Sequence, residues 1–138
     1  MDPTQLTQEQ QYHFPYHHIP SMTHGRFTEV RISPWGYAYM AYLEAVLGYI
    51  EKTPFASLLD VGCGDGKFLY EARKRFPNAA LSGNDYSLHA LAFAKAFNFN
   101  NAVHFSTKPA EQIAKEKGLF DVVVAIEVLE HIPLEETG

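Results

Sequence analysis

The sequence predicts an α/β protein built on a parallel β-sheet with helices on its faces, and three observations support this class. From residue 56 onward, short apolar runs alternate with helix-forming stretches, which is typical of βαβ units. A glycine-rich run directly follows the first of these apolar runs. A later run, residues 120–126, is rich in Val, as a strand that is covered on both faces requires.

The elements are assigned in chain order from their boundary residues. Ser33 and Pro34 predict a helix start, because Ser caps a helix well and Pro fits its first position. Apolar residues at spacings of three and four continue this helix to Ile50. The elements predicted after it are strand 57–61, helix 67–76, strand 79–84, a helix capped by Ser87 that runs to about Phe97, strand 102–105, helix 109–116 and strand 120–126.

The segment before the first helix has a different composition. Residues 1–32 lack a helical period and are rich in aromatic residues and histidine, whereas residues 33–138 contain the predicted sheet. The histidines fit no regular metal-ligand spacing and no cysteines accompany them: they are His13, His17, His18 and His24. We expect either a lid over a site or a plain surface segment.

The glycine run carries the first functional signal. Its spacing is Asp60-x-Gly62-x-Gly64-x-Gly66, between a buried strand and a helix start. Glycine is needed where a chain turns sharply or where a ligand approaches the backbone closely. A strand, a glycine turn and a helix together predict a nucleotide-binding crevice at the carboxyl end of a parallel strand. The dinucleotide fingerprint Gly-x-Gly-x-x-Gly is not matched, because Lys67 stands where its third glycine would be.

A second acidic residue extends this signal. Asp85 ends the next predicted strand, 19 positions after Gly66, which brings it beside the glycine turn in a βαβ unit. A carboxylate there can accept both hydroxyls of a ribose, as in dinucleotide folds. The alternative is that Asp85 caps the next helix or forms a turn.

Three stretches together resemble class I S-adenosylmethionine (SAM) dependent methyltransferases. The run 60–66 resembles their first motif, and the stretch 127–133, EVLEHIP, is similar to small-molecule enzymes such as the ubiquinone-biosynthesis O-methyltransferases. Residues 105–113 resemble their adenine-side loop. The resemblance implies a Rossmann-like parallel sheet that is truncated after its fourth strand, the N-terminal part of a longer enzyme. A naturally minimal protein is the alternative.

The resemblance also implies a set of site residues. SAM is expected to contact Asp60, Gly62, Cys63, Gly64, Gly66, Asp85, Tyr86, Ala110, Glu111 and Glu127. His131 is a candidate general base, needed only if the acceptor must lose a proton. We expect no metal, although Glu127, Glu130 and His131 have the ExxEH wording with which some RNA methyltransferases bind a divalent ion.

The net charge, the apolar stretches and the cysteine count of the chain narrow the range of partners that we expect. The net charge of −5 argues against a nucleic-acid substrate, and no apolar stretch approaches the ~20 residues of a membrane span. Cys63 is the sole cysteine, which excludes an intrachain disulfide and fits a cytoplasmic protein. We therefore expect methyl transfer from SAM to a small-molecule acceptor. The alternatives are an NAD-dependent oxidoreductase and a non-catalytic SAM-binding or interaction module. We also expect a homodimer through the exposed edge of the fourth strand.

Overall fold

The computed structural model of the chain describes residues 6, 9–10, 22–23, 26–27 and 32–128, and the chain divides into two compact units, Met1–Tyr49 and Ile50–Gly138. In the first unit, β1 (Met22–Thr23) pairs antiparallel with β2 (Arg26–Phe27). Helix α1 spans Ile32–Ile50 and begins one residue before the predicted Ser33. The predicted boundary at residue 32, between an N-terminal segment and the domain that contains the sheet, stays a prediction.

The second unit contains a four-stranded, fully parallel sheet with the strand order β5-β4-β3-β6. Its elements are β3 (Ser57–Val61), α2 (Lys67–Arg75), β4 (Ala80–Asn84), α3 (Leu88–Phe97), β5 (His104–Ser106), α4 (Ala110–Lys117) and β6 (Val122–Val124). The predicted α/β class and Rossmann-like parallel sheet are therefore confirmed. Because the strands are parallel, their carboxyl ends all lie at one edge of the sheet.

Burial on both faces of β3 explains why its sequence is almost continuously apolar. Leu58 and Leu59 point to opposite faces and are 0% and 2% exposed. Helix α2 contributes Leu69 and Ala72 to the core, and α3 contributes Ala94. The described residues contain no helix of the length and apolarity that crossing a membrane requires.

Two strands are shorter than predicted. The strand expected from residue 102 begins at His104, because Ala102 has a φ of 50°, which an extended strand excludes. Strand β6 begins at Val122, because the amide of Asp121 donates to the Ser57 hydroxyl at 3.0 Å. It ends at Val124, and Glu127 soon after it has a φ of 54°.

The carboxylate of Asp121 ties the amino ends of β3 and β6 together. Its Oδ2 accepts from the amides of Ala56 and Ser57 at 2.8 and 2.9 Å and from the Ser57 hydroxyl at 3.1 Å. These bonds, the Ala56 amide first among them, hold the pKa of Asp121 below its usual range. This clasp lies at the opposite end of the sheet from the glycine turn.

Arg73 of α2 ties two chain connections to the helix through main-chain carbonyls. Its guanidinium donates to the carbonyls of Pro77 and Ala79 at 2.8 and 2.9 Å, in the connection between α2 and β4. Its Nε donates to the carbonyl of Asn101 at 2.8 Å, in the connection between α3 and β5. One half-buried side chain therefore fixes the entry into both β4 and β5.

Candidate cofactor-binding site

The turn between β3 and α2 depends on left-handed backbone at three alternate residues. Gly62, Gly64 and Gly66 have φ values of 70°, 51° and 73°. Residues with a Cβ rarely adopt this conformation, so the alternating glycines follow from the shape of the turn. The turn closes with a bond from the Gly66 amide to the Cys63 carbonyl at 2.9 Å.

Two of the glycines are also required by close packing. A Cβ on Gly62 would lie 2.5 Å from Cγ2 of Val128, which follows β6. A Cβ on Gly66 would lie 2.8 Å from the Ala94 Cβ and 2.9 Å from the Asn98 Nδ2 of the α3 region. The turn is therefore enclosed from both sides by neighbouring elements.

Asp85 connects the tip of β4 to the glycine turn. Its Oδ2 accepts from the Gly64 amide at 3.0 Å and its Oδ1 from the Ser87 amide at 2.9 Å. Ser87 is the N-cap of α3, as predicted, and its Oγ accepts from the Ala90 amide at 3.1 Å. Asp85 thus has the turn-forming role that was the alternative, and its ribose role stays a prediction.

The expected contact between Asp60 and SAM stays a prediction. Within residues 32–128, the carboxylate that accepts from the Gly64 amide is that of Asp85. Asp60 is 2% exposed at the end of β3.

Three buried carboxyl groups surround the turn. Asp60, Asp65 and Asp85 are each less than 10% exposed. Burial, with the charges of Asp85 and Asp65, raises the pKa of Asp60 well above its usual value. Asp65 accepts from the Lys67 amide at 3.1 Å at the start of α2. The site therefore combines bare backbone with an acidic environment.

Cys63 contributes packing to this site. Its side chain is 7% exposed, and a Cβ on Gly83 of β4 would lie 2.9 Å from its sulfur. Burial and the neighbouring carboxylates raise the pKa of the Cys63 thiol. A thiol held in its protonated form is a poor nucleophile, so Cys63 serves to fill the space above Gly83.

The remaining predicted residues lie at the same edge of the sheet or outside the described residues. Tyr86 follows Asp85 and is 45% exposed, while Ala110 and Glu111 form the first turn of α4. Glu127 follows β6, the neighbour of β3. Glu130 and His131 lie outside the described residues, so their catalytic and metal-binding roles stay predictions. In the described ranges, no three His, Cys, Asp or Glu side chains are grouped to hold a metal ion.

The sequence did not reveal two polar features of the site. Asn98 donates to the carbonyl of Gly66 at 3.1 Å across 32 positions of sequence. Asn84 Oδ1, at the tip of β4, is buried and lacks a hydrogen-bond partner in the part of the chain that the structure describes. Neither residue belongs to a spacing pattern that would have marked it.

The fold and the glycine turn define a methyltransferase-type cofactor domain, and comparisons with known proteins agree. A family model described as a methyltransferase domain matches residues 9–134. The chain belongs to this family, which confirms the class expected from the run 60–66.

Curated relatives that the chain matches are ubiquinone biosynthesis O-methyltransferases. The ubiquinone biosynthesis O-methyltransferase of Escherichia coli O157:H7 is 34% identical over 106 residues, which cover 75% of this chain and 41% of the relative. That of Pseudomonas paraeruginosa is 41% identical over 80 residues, covering 56% of this chain and 34% of the relative. The chain thus spans less than half the length of these relatives. The oxidoreductase alternative has no support among them.

Solved structures share the fold. Magnesium protoporphyrin IX methyltransferase from Synechocystis, with bound SAM, has a TM-score of 0.70 at 17% identity, covering 99% of this chain and 67% of that one. The plantazolicin methyltransferase BpumL, in complex with SAH, has a TM-score of 0.53 at 22% identity, covering 90% and 42%. At these identities the likeness establishes the architecture alone.

Proposed function

We propose that this chain binds SAM at the carboxyl ends of β3 and β4 and serves methyl transfer to a small-molecule acceptor. The observation that carries the proposal is the 3.0 Å bond between the Gly64 amide and the Asp85 carboxylate. This bond supports the proposal because a carboxylate, which can accept ribose hydroxyls, then lies beside a turn that presents bare backbone. The relatives support the reaction class, since those named above are O-methyltransferases.

The residues present fit such a cofactor. A carboxylate has about four acceptor sites, so Asp85 can bond both turn amides and ribose hydroxyls. The buried carboxyl groups of Asp65 and Asp85 favour a ligand with cationic ammonium and sulfonium groups. The buried Asn84 Oδ1 offers a further acceptor at the same strand tip. Leaving such an atom without a donor is unfavourable.

Methyl transfer depends mainly on how the donor and the acceptor are positioned. When bound, SAM supplies an activated methyl group, and holding two reactants in line accounts for much of the rate of such a transfer. The glycine turn and Asp85 would fix the donor. The proton of the acceptor would pass to His131 or to a histidine of residues 1–32 where the acceptor must lose one. An acceptor assay separates this function from a non-catalytic SAM-binding module.

Replacing Asp85 with Ala is expected to weaken SAM binding by roughly 10- to 100-fold. The estimate takes about 1.5–3 kcal/mol for hydrogen bonds to a charged group, at about 1.4 kcal/mol per tenfold change. Isothermal titration calorimetry of the full-length protein measures the change directly.

The matched control is Ser87→Ala. It removes the N-cap bond to the Ala90 amide, and therefore lowers stability, while it leaves the Asp85 carboxylate in place. We expect its affinity for SAM to equal that of the wild type. If Asp85→Ala and the wild type bound SAM with equal affinity, Asp85 would not contact the cofactor. The ribose role would then be dropped from the proposal.

We propose further that the protein forms a homodimer through the outer edge of β6. This strand ends the described sheet, and the side chain of Val123 is 58% exposed. An apolar edge of this kind recruits another strand, and a twofold pairing is the commonest symmetric solution. Light scattering should detect a dimer, and Val123→Lys should convert it to a monomer. A wild-type monomer at high concentration would contradict the proposal.

The cellular location of the protein and the class of acceptor that it methylates are also proposals. The net charge of −5 and the buried thiol of Cys63 support a cytoplasmic enzyme that acts on small molecules. A nucleic-acid acceptor would favour a basic surface.

A further inference from the structure

Asn98 carries a buried side-chain amide whose bonds reach from the end of α3 to the glycine turn. The residue is 5% exposed, which is unusual for Asn. Its Nδ2 donates to the Gly66 carbonyl at 3.1 Å and to the Ala94 carbonyl at 3.0 Å. Its Oδ1 accepts from Nδ2 of Asn101 at 3.2 Å, which fixes the orientation of the amide.

Local helix capping does not account for this arrangement. The main-chain amide of Asn98 already donates to the Ala94 carbonyl at 3.0 Å and closes the helix. A cap needs no second bond to a residue 32 positions earlier. The bond to Gly66 therefore serves the turn, which it joins to the C-terminal end of α3.

Gly66 is the residue at which the turn becomes helix α2. Its carbonyl accepts from the Tyr70 amide at 3.0 Å, the first helical bond, as well as from Asn98. Ala94 packs against its Cα so closely that a Cβ there would lie 2.8 Å from the Ala94 Cβ. Asn98 and Ala94 thus form a seat for the last residue of the turn.

We propose that Asn98 is a positioning residue for the cofactor, acting through Gly66. Asp85 fixes the middle of the turn at the Gly64 amide, and Asn98 fixes its end, so that both are needed to hold the turn in its binding shape. The inference rests on the proposed function, because the ligand it serves is SAM. Asn98 itself contacts the turn, through its bond to the carbonyl of Gly66.

The test compares Asn98→Ala with Asn98→Ser in the full-length protein. A Ser hydroxyl can bond the carbonyl four residues earlier in its own helix, but it is too short to span to Gly66 as well. Asn98→Ser therefore retains a bond to Ala94 and loses the turn bond, whereas Asn98→Ala loses both. We expect both variants to bind SAM about tenfold more weakly, which corresponds to about 1.4 kcal/mol.

Two controls separate positioning from stability. Asn100→Ala removes an exposed Asn two residues away and should leave affinity and melting temperature unchanged. Asp121→Asn loosens the clasp at the opposite end of the sheet, so it should lower the melting temperature and leave the affinity unchanged. Affinities are measured by calorimetry at a temperature at which circular dichroism finds every variant folded.

Two outcomes would overturn the inference. Wild-type affinity in both Asn98 variants would reduce the residue to a structural one. If the wild type itself bound no SAM, the proposed function would fail. Amide hydrogen exchange at Gly66 and Tyr70 would then test, without any ligand, whether Asn98 holds the turn in place. Exchange that is faster in Asn98→Ser than in Asn100→Ala supports a role in holding the turn, and equal exchange contradicts it.

Discussion

Gly64→Val is expected to abolish SAM binding while most of the secondary structure remains. Gly64 has a φ of 51°, and its amide donates to Asp85, so its backbone lies at the centre of the proposed SAM site. A β-branched side chain there would occupy the space that the ligand needs and would strain the left-handed backbone. Calorimetry with SAM measures the loss of binding, and far-ultraviolet circular dichroism measures the secondary structure that remains.

Gly118→Val is the control for backbone strain. Gly118 ends α4 with a φ of 92°, and a Cβ there would meet no atom within 4 Å. With a ψ of 179° this is backbone that almost only Gly adopts, so its replacement should cost about 1–3 kcal/mol of stability and leave SAM affinity unchanged. Normal binding by Gly64→Val would mean that the glycine turn is a feature of the fold alone.

Arg73→Ala is expected to lower the free energy of unfolding by about 3 kcal/mol. Bonds to a charged group contribute about 1.5–3 kcal/mol each, and those that share one side chain are not additive. The variant leaves the carbonyls of Pro77, Ala79 and Asn101 without their donor. Urea denaturation followed by circular dichroism measures the loss.

Arg75→Ala provides the comparison on the same helix. Arg75 approaches Glu51 at 4.0 Å in a surface ion pair, which contributes about 0–1 kcal/mol. Arg73→Lys should fall between the two alanine variants, because an ammonium cannot reproduce the planar fork of the guanidinium. Equal midpoints for Arg73→Ala and Arg75→Ala would show that the carbonyl bonds add nothing net.

Local signals predicted much of the fold and the centre of the site. The glycine turn follows from three glycines at alternate positions, and the start of α3 from the capping preference of Ser87. Both depend on residues within a few positions of each other, which is the range at which sequence patterns are informative. Asp85 was placed correctly beside the turn because a βαβ unit has a nearly fixed length.

The features that the sequence did not predict depend on contacts between distant positions. The shortened β6 reflects the bond between the Asp121 amide and Ser57, 64 positions apart. The bond between Asn98 and Gly66 spans 32 positions, and no propensity or spacing announces it. The late start of β5 reflects the left-handed backbone of Ala102, which a propensity for strands would not reveal.

The two neighbours of β3 differ in how far along the chain they lie, and this has a consequence for folding. Leu58 pairs with Leu81 on one side and with Val122 on the other. Closing the shorter loop costs less chain entropy, and contacts between distant positions form more slowly. We expect β3, β4 and β5 to assemble first as the chain leaves the ribosome. Strand β6 would then join a surface that is already formed, and until it does, the apolar flank of β3 is open to chaperones and to aggregation.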